Sequence, residues 1–289
     1  MTELVMIDGT VVPPAEARIS VFDRGFLYGD AVFETIRTYG GRPFELDAHV
    51  TRLSRSAARV LIELPVSVTT IQREVVDAVT AAKNAESYIR LMVTRGSGEL
   101  DLAPDATLTP TRVVIVGPLR PPPPDVYVNG VSVLTYRTMR AADATDAVGA
   151  KVTNYLVSVL AMRQAREAGA AEALVVDRNG CVVEGATSNV FAVAQGRLVT
   201  PPEDAGILLG ITRLRVLAVA RELGLQVELR AMPLPELVRA QEVFISSSIR
   251  ELVPVVRVDA EPIGSGVPGL VTLRLLRAFR EKINKDMGL

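Results

Sequence analysis

At 289 residues, 48% hydrophobic and 22% charged, the chain carries enough apolar material for one large or two smaller cored domains, which excludes a disordered protein. Its 32 Lys+Arg stand against 33 Asp+Glu, a formal net charge of −1 with no dense basic block, so neither nucleic acid nor an anionic membrane is an expected partner. One cysteine, Cys181, excludes an intramolecular disulfide framework, and without a CxxC or a histidine cluster no metal site is expected.

The N-terminus lacks a basic start followed by a long apolar run, and no stretch approaches the roughly 20 apolar residues of a membrane span, which reads as a soluble cytoplasmic protein. In chain order, residues 4–7 and 11–12 flank Asp8-Gly9-Thr10, a hairpin signal. A glycine-punctuated loop over 20–30 leads into 31–39, a β-branched and aromatic run with period-two alternation. Gly40-Gly41 turns the chain into another short strand. Helical spacing follows over 47–61, with Asp47 as N-cap, and over 69–83, before strands at 88–94 and 112–116.

A proline-rich linker over 118–125 separates a small N-terminal α+β domain (1–117) from a larger C-terminal α+β domain (126–289). The second half opens with a strand-like stretch over 126–136 and a mixed polar stretch to Asp146. A long amphipathic helix over 151–167 follows, stopped near Gly169. Short strands are expected at 172–176, 181–184, 189–193, 197–200, 226–229 and 242–246, and helices at 211–222, 234–240 and 268–282. Without regular βαβ alternation, the pattern predicts an α+β fold of mostly antiparallel sheets with flanking helices.

Only four lysines stand among the 32 basic residues: Lys83, Lys151, Lys282 and Lys285. Three lie in charge-rich helical contexts. Lys151 sits among small and apolar residues, where a primary amine can be desolvated enough to condense with an aldehyde, chemistry that arginine cannot perform. Taken alone it reads more readily as an ordinary surface lysine; its company argues otherwise. Glu184 ends an apolar strand before a Gly-Ala-Thr-Ser turn, where a buried carboxylate needs a partner such as a protonated pyridine nitrogen. Gly210-Ile211-Thr212 opens a helix, Ser246-Ser247-Ser248 ends a strand and Arg52 lies on the first long helix; together they offer the N–H groups, hydroxyls and guanidinium that a phosphate requires.

The ordered set Arg24-Gly25, Tyr28-Gly29-Asp30, Phe33-Glu34, His49 to Leu53, Lys151 to Tyr155, Glu184 to Phe191, Gly210 to Arg213 and Ser247 to Val255 resembles the class IV aminotransferases, the fold-type IV pyridoxal phosphate enzymes, over essentially the whole chain. The resemblance implies a two-domain fold-type IV architecture, pyridoxal 5′-phosphate as cofactor and a homodimer in which a loop near Tyr28 closes the neighbouring subunit's site. It implies that Lys151 bonds the cofactor as a Schiff base and shuttles a proton between Cα and C4′. Glu184 then pairs with the ring nitrogen and Tyr155 with the phenolate oxygen, while Arg52, Ile211, Thr212, Ser247 and Ser248 bind the phosphate. The substrates implied are an amino donor and a 2-oxo acid. His49 is expected to be a structural histidine.

Phe33-Glu34-x-x-Arg37 and Tyr88-Ile89-Arg90 are similar to the branched-chain aminotransferase pattern, giving Tyr28, Phe33, Thr35, Arg37, Tyr88 and Arg90 as substrate-binding residues. Arg37 and Arg90 are suited to grip a carboxylate bidentately. Thr35 replaces the glycine of that subgroup, its Gly-Glu-Asn ending is missing after Glu184, and Lys151 and Tyr155 are one residue closer than is usual there. Phe-Glu-Thr and Arg95-Gly96-Ser97-Gly98 resemble the 4-amino-4-deoxychorismate lyases more. The Arg-x-His carboxylate trap of the D-amino-acid enzymes is absent near 99–101. A branched-chain-like aminotransferase is the leading expectation, with the lyase and the D-amino-acid or (R)-amine transaminases as alternatives.

Overall fold

The structure, a computed structural model, describes residues 3–103, 107–138 and 147–289. Internal contacts divide the chain into two compact units, Met1–Arg120 with Ala150–Asn154, and Pro121–Gly149 with Tyr155–Leu289.

The first unit is built on a six-stranded, wholly antiparallel sheet. Its strands are β1 (Leu4–Ile7), β2 (Thr10–Val12), β3 (Ala31–Tyr39), β4 (Arg42–Pro43), β5 (Ser87–Thr94) and β6 (Arg112–Pro118), in the order β2-β1-β6-β5-β3-β4. The β1–β2 hairpin turns at Asp8 and Gly9, both at positive φ (49° and 83°), the backbone that Asp-Gly supplies most cheaply. Alternation along β3 puts Val32, Glu34 and Ile36 on one face and Phe33, Thr35 and Arg37 on the other. Val32 and Ile36, with Ile89, Leu91 and Val93 of β5, pack under α2 (Leu46–Arg59) and α3 (Val68–Ala82), which bury Val50, Leu53, Ile71 and Val75.

Three expectations are corrected here. Part of the loop at 20–30 is a short helix, α1 (Arg24–Tyr28): Asp23 caps it by accepting from the Gly25 N–H at 2.8 Å, and Gly29 ends it in the left-handed region. Asp47 is not the cap of α2 but lies inside its first turn, where it accepts from Gln72; the cap position is Glu45, at φ 53°. Strand β6 continues through Gly117-Pro118, paired with Tyr88 and Ser87, because proline costs little at a strand's end.

In the second unit α4 (Asp125–Asn129) replaces the expected strand start, and β7 begins only at Val131 (Val131–Arg137) after Gly130. The remaining strands are β8 (Glu172–Val176), β9 (Val182–Gly185), β10 (Asn189–Ala194), β11 (Arg197–Thr200), β12 (Val227–Leu229), β13 (Glu242–Ser247), β14 (Glu251–Val258) and β15 (Glu261–Pro262). They form a nine-stranded sheet ordered β12-β11-β10-β13-β14-β7-β8-β9, with β15 beside β14; the β11–β12, β14–β7 and β7–β8 junctions are parallel and the others antiparallel. Helices α5 (Leu156–Glu167), α6 (Ile211–Glu222), α7 (Leu234–Val238) and α8 (Leu270–Met287) complete the unit. The strand β14 went unread because Pro254 interrupts its pattern; it sits opposite Phe244, beside a register shift between Val255 and Arg257.

The largest correction concerns Lys151. The expected helix over 151–167 starts at Leu156, and Lys151 lies on an extended segment whose Val152 bridges Val32 of β3. That segment groups with the first unit, whereas the sequence reading assigned it to the C-terminal domain, because β3 captures its backbone hydrogen bonds. Of the polar stretch expected to reach Asp146, residues 139–146 lie outside the described residues.

Glu74 of α3 and Arg112 of β6 form a buried bidentate pair at 2.9 and 3.1 Å. Glu74→Ala strands the guanidinium and is expected to lower unfolding free energy by about 3 kcal/mol in denaturant melts, while Glu74→Leu with Arg112→Met recovers most of the loss. An additive double variant would contradict this account.

Candidate active site

Lys151 is held by its backbone. Its N–H donates to Ser56 Oγ at 3.1 Å, its carbonyl accepts from the Phe33 N–H at 3.0 Å, and the Thr153 N–H donates to the Ala31 carbonyl at 3.0 Å. The half-buried side chain lies along β3 with Nζ 4.5 Å from the centroid of the Phe33 ring. The Arg90 guanidinium stands 3.5 Å from the same centroid. A buried aromatic ring thus carries both an amine and a guanidinium on its surface, an arrangement in which each cation is partly desolvated.

Cross-strand register explains why the expected substrate residues converge. Thr35 pairs with Arg90 and Arg37 with Tyr88, so Phe33, Thr35, Arg37, Tyr88 and Arg90 share one face of the β3–β5 ribbon. Arg37 is drawn along the strand, its guanidinium 4.1 Å from the Tyr39 ring and its Nε donating to the Thr38 carbonyl at 3.4 Å. Tyr28 ends α1, with the Arg24 guanidinium 4.9 Å from its ring.

On the opposite face of β3 a polar cluster is built into the core. Glu34 is fully buried and accepts from Arg52 Nε at 2.8 Å and Nη2 at 2.6 Å, with His49 Nδ1 2.7 Å from its Oε2. Burial pushes this carboxyl up, but the Arg52 charge and hydrogen bonds, aided by His49, outweigh burial and hold it at about 2. Burial lowers His49 below its ordinary value against the pull of Glu34, so the imidazole is neutral near pH 7 and donates through Nδ1. Arg52, read from sequence as a phosphate ligand, is thereby aimed by a carboxylate that the sequence reading did not include in the site.

The second unit carries the other expected ligands. Glu184, at the end of β9, accepts from the Leu208 N–H at 3.0 Å through Oε2, and Asn189 Nδ2 donates to the Leu208 carbonyl at 2.8 Å. Asn189 pairs across the sheet with Ser246, whose buried Oγ has no partner among the described residues. Ser247 and Ser248 follow, half-buried, Ser247 Oγ accepting from the Arg250 Nε at 3.2 Å. Ile211 and Thr212 form the first turn of α6, and no side chain caps that turn. A Cβ on Gly210 would come 2.0 Å from Asn189 Oδ1, so a larger residue there would have to displace the Asn189 side chain. Tyr155 occupies the N-cap position of α5. An uncapped helix start beside an orphaned buried hydroxyl fits a phosphate, and a carboxylate at the end of β9 fits a protonated ring nitrogen.

Two further polar groups were missed. Glu172, fully buried at the start of β8, accepts through Oε2 from Arg250 Nη2 and Thr187 Oγ1, each at 2.6 Å, and from Ser188 Oγ at 3.1 Å. Arg213 has no exposed surface; its Nη2 donates to the Pro201 carbonyl at 2.9 Å, while Nε and Nη1 have no partner among the described residues. The signal available for Glu172 and Glu34 was a lone acid inside an otherwise apolar strand.

A family model described as amino-transferase class IV matches residues 31–258. A putative branched-chain-amino-acid aminotransferase of Methanocaldococcus jannaschii is 38% identical over 277 residues, spanning 96% of this chain and 95% of its own. A D-alanine aminotransferase of Bacillus licheniformis is 36% identical over 279 residues, 96% of each chain. Among solved structures, the branched-chain amino acid aminotransferase of Escherichia coli is similar at a TM-score of 0.92 and 31% identity, over 96% of this chain and 93% of its own.

The lowered Glu34 carboxyl has a pH consequence. Its contribution to stability is fully present above its ordinary value of 4.5 and is lost as pH falls toward about 2. Glu34→Gln is therefore expected to be less stable than wild type at pH 7, with the gap shrinking by up to roughly 1.4 kcal/mol per pH unit across that window. Denaturant melts showing a pH-independent gap would refute the assignment.

Proposed function

Because the chain belongs to the class IV aminotransferases, pyridoxal phosphate enzymes that pass an amino group between an amino acid and a 2-oxo acid, we propose that it acts on branched-chain-like amino acids with Lys151 as its catalytic amine. The observation that carries this reading is the Phe33 ring with the Lys151 amine and the Arg90 guanidinium upon it, since it sets a cation for a substrate carboxylate near the amine that moves the substrate's proton.

Bound, pyridoxal phosphate supplies an aldehyde that condenses with amines and a ring that takes up the electron pair left when the donor's Cα–H bond breaks. With the cofactor bound, the Lys151 amine would be the group that takes up that proton and hands it back. Glu184 holds a proton on the ring nitrogen, and the Leu208 N–H keeps the carboxylate turned to do so. The Tyr155 hydroxyl donates to the phenolate oxygen. The N–H groups of Ile211 and Thr212, the hydroxyls of Thr212, Ser247 and Ser248 and the Arg52 guanidinium would bind the phosphate.

Arg90 and Arg37 grip the substrate carboxylates, while Tyr28, Phe33, Thr35 and Tyr88 shape the space for its side chain. A D-amino-acid preference is the second reading, supported by the 36% identity to the Bacillus licheniformis D-alanine enzyme. A homodimer belongs to the same proposal, supported by the apolar face that α5 exposes at Leu156, Val157, Val159 and Leu160. So does a cytoplasmic location, supported by a lone thiol, Cys181, whose pKa burial and Asp177 raise.

Purified protein is expected to be yellow, and Lys151→Ala to lose that visible absorption and about 10⁴ in kcat. Single-turnover mixing with L-leucine, L-glutamate and D-alanine, followed by loss of the absorption, then fixes the donor. Response to D-alanine alone would overturn the branched-chain reading, and a Lys151→Ala protein that keeps its colour and rate would overturn the role of the lysine.

A further inference from the structure

The segment that bears Lys151 is extended, not helical. Besides Ser56, the Phe33 N–H and the Val32–Val152 bridge, the turn that leads into β3 holds it. Thr153 donates through its N–H to the Ala31 carbonyl at 3.0 Å and through Oγ1 to the Gly29 carbonyl at 2.8 Å. Asn154 presses on the same place: a Cβ on Gly29, which sits at φ +67°, would lie 1.9 Å from Asn154 Oδ1. The position of the amine therefore depends also on how firmly Gly29 to Ala31 is held.

That turn is braced by one carboxylate. Asp30 Oδ2 accepts from Arg24 Nε at 3.1 Å and from Arg95 Nε at 2.7 Å, and Oδ1 accepts from Arg95 Nη2 at 3.0 Å. Both guanidiniums are then tied to backbone elsewhere. Arg95 donates to the Leu61 and Val60 carbonyls at the end of α2, at 2.6 and 2.7 Å, and Arg24 donates to the carbonyls of Asp101 and Leu102. The side chains of Arg24, Asp30 and Arg95 are largely buried, so the carboxylate offsets two neighbouring cations where water does little of that work. No chemistry in the proposed reaction uses this network.

We propose that Asp30 and Thr153 are positioning residues for Lys151: the two arginines lock Asp30, Asp30 locks the Gly29–Ala31 turn, and Thr153 transfers that rigidity to the lysine-bearing segment. The inference rests on the reading of Lys151 as the catalytic amine. A displacement of about 1 Å at a reacting group is enough to cost on the order of 10²-fold in rate, so a loosened segment is felt in turnover before it is felt in substrate binding.

The experiment compares wild-type holoenzyme with Thr153→Val, which keeps the shape and removes the hydroxyl, and with Asp30→Asn. Amide hydrogen exchange by mass spectrometry over 29–33 and 150–154 is expected to quicken about tenfold in both variants, a change of about 1.4 kcal/mol in local opening. Turnover is expected to fall about tenfold with KM for the amino donor within about twofold, and exchange over α3 to stay at the wild-type level. Wild-type exchange at 150–154, or a loss spread evenly over the first unit, would overturn the proposal. If Asp30→Asn does not fold, Thr153→Val decides alone by the same criteria. Failure of the lysine reading is seen separately, in Lys151→Ala that keeps its colour; in that case the exchange change in Thr153→Val persists without a change in turnover.

Discussion

The hydrogen bond from the Phe33 N–H to the Lys151 carbonyl, with the Val32–Val152 bridge beside it, is the constraint on which the arrangement depends. It makes β3 serve three elements at once. One face of the strand packs α2 and receives Glu34, the other displays Phe33, Thr35 and Arg37, and its edge receives the lysine segment. Had the segment continued α5 backward as a helix, Lys151 would point according to helical period and its backbone donors would be spent within that helix. Extended, the same residues orient the amine across the Phe33 ring.

Buried charge recurs around this frame, and it is not uniform in kind. Glu34 and Glu172 each sit among several donors, so desolvation is offset locally and the carboxylates also fix the arginines they face. Arg213 differs: a fully buried guanidinium with two donors unmatched among the described residues, on the helix whose first turn holds Ile211 and Thr212. Stability is given up at that position, a pattern expected next to groups arranged for chemistry and not in an ordinary core.

Much of the fold was legible where the determining forces are local. The Asp8-Gly9 turn, the β-branched run of β3 and the start of α6 at Ile211 follow from dihedral preference and period alone. Elements set by distant partners were not. Lys151 to Tyr155 read as helix because the apolar spacing of Leu156 onward blurs upstream, and no residue nearby announces that β3 will claim its backbone. Pro254 hid β14, since the tolerance for a proline comes from the neighbouring register shift. At the candidate site, Lys151, Glu184 and the Gly-Ile-Thr turn stood out in the sequence by residue type and context. Glu34 carried a readable signal that went unused: it shares the parity of Val32 and Ile36, and a carboxylate on the core face of a strand demands partners.

The return of Ala150–Asn154 to the first unit also bears on modularity. A fragment that stopped at Arg120 would keep β3 yet leave the Phe33 N–H and the Ala31 carbonyl without the groups that satisfy them, and it would lack the amine altogether. The C-terminal remainder would keep Glu184 and the α6 turn with an extended segment that has no strand to lie against. Neither piece keeps β3 together with the segment it pairs with, so recombining halves between relatives has to carry the lysine segment and β3 as a matched pair, although more than a hundred residues of sequence separate them.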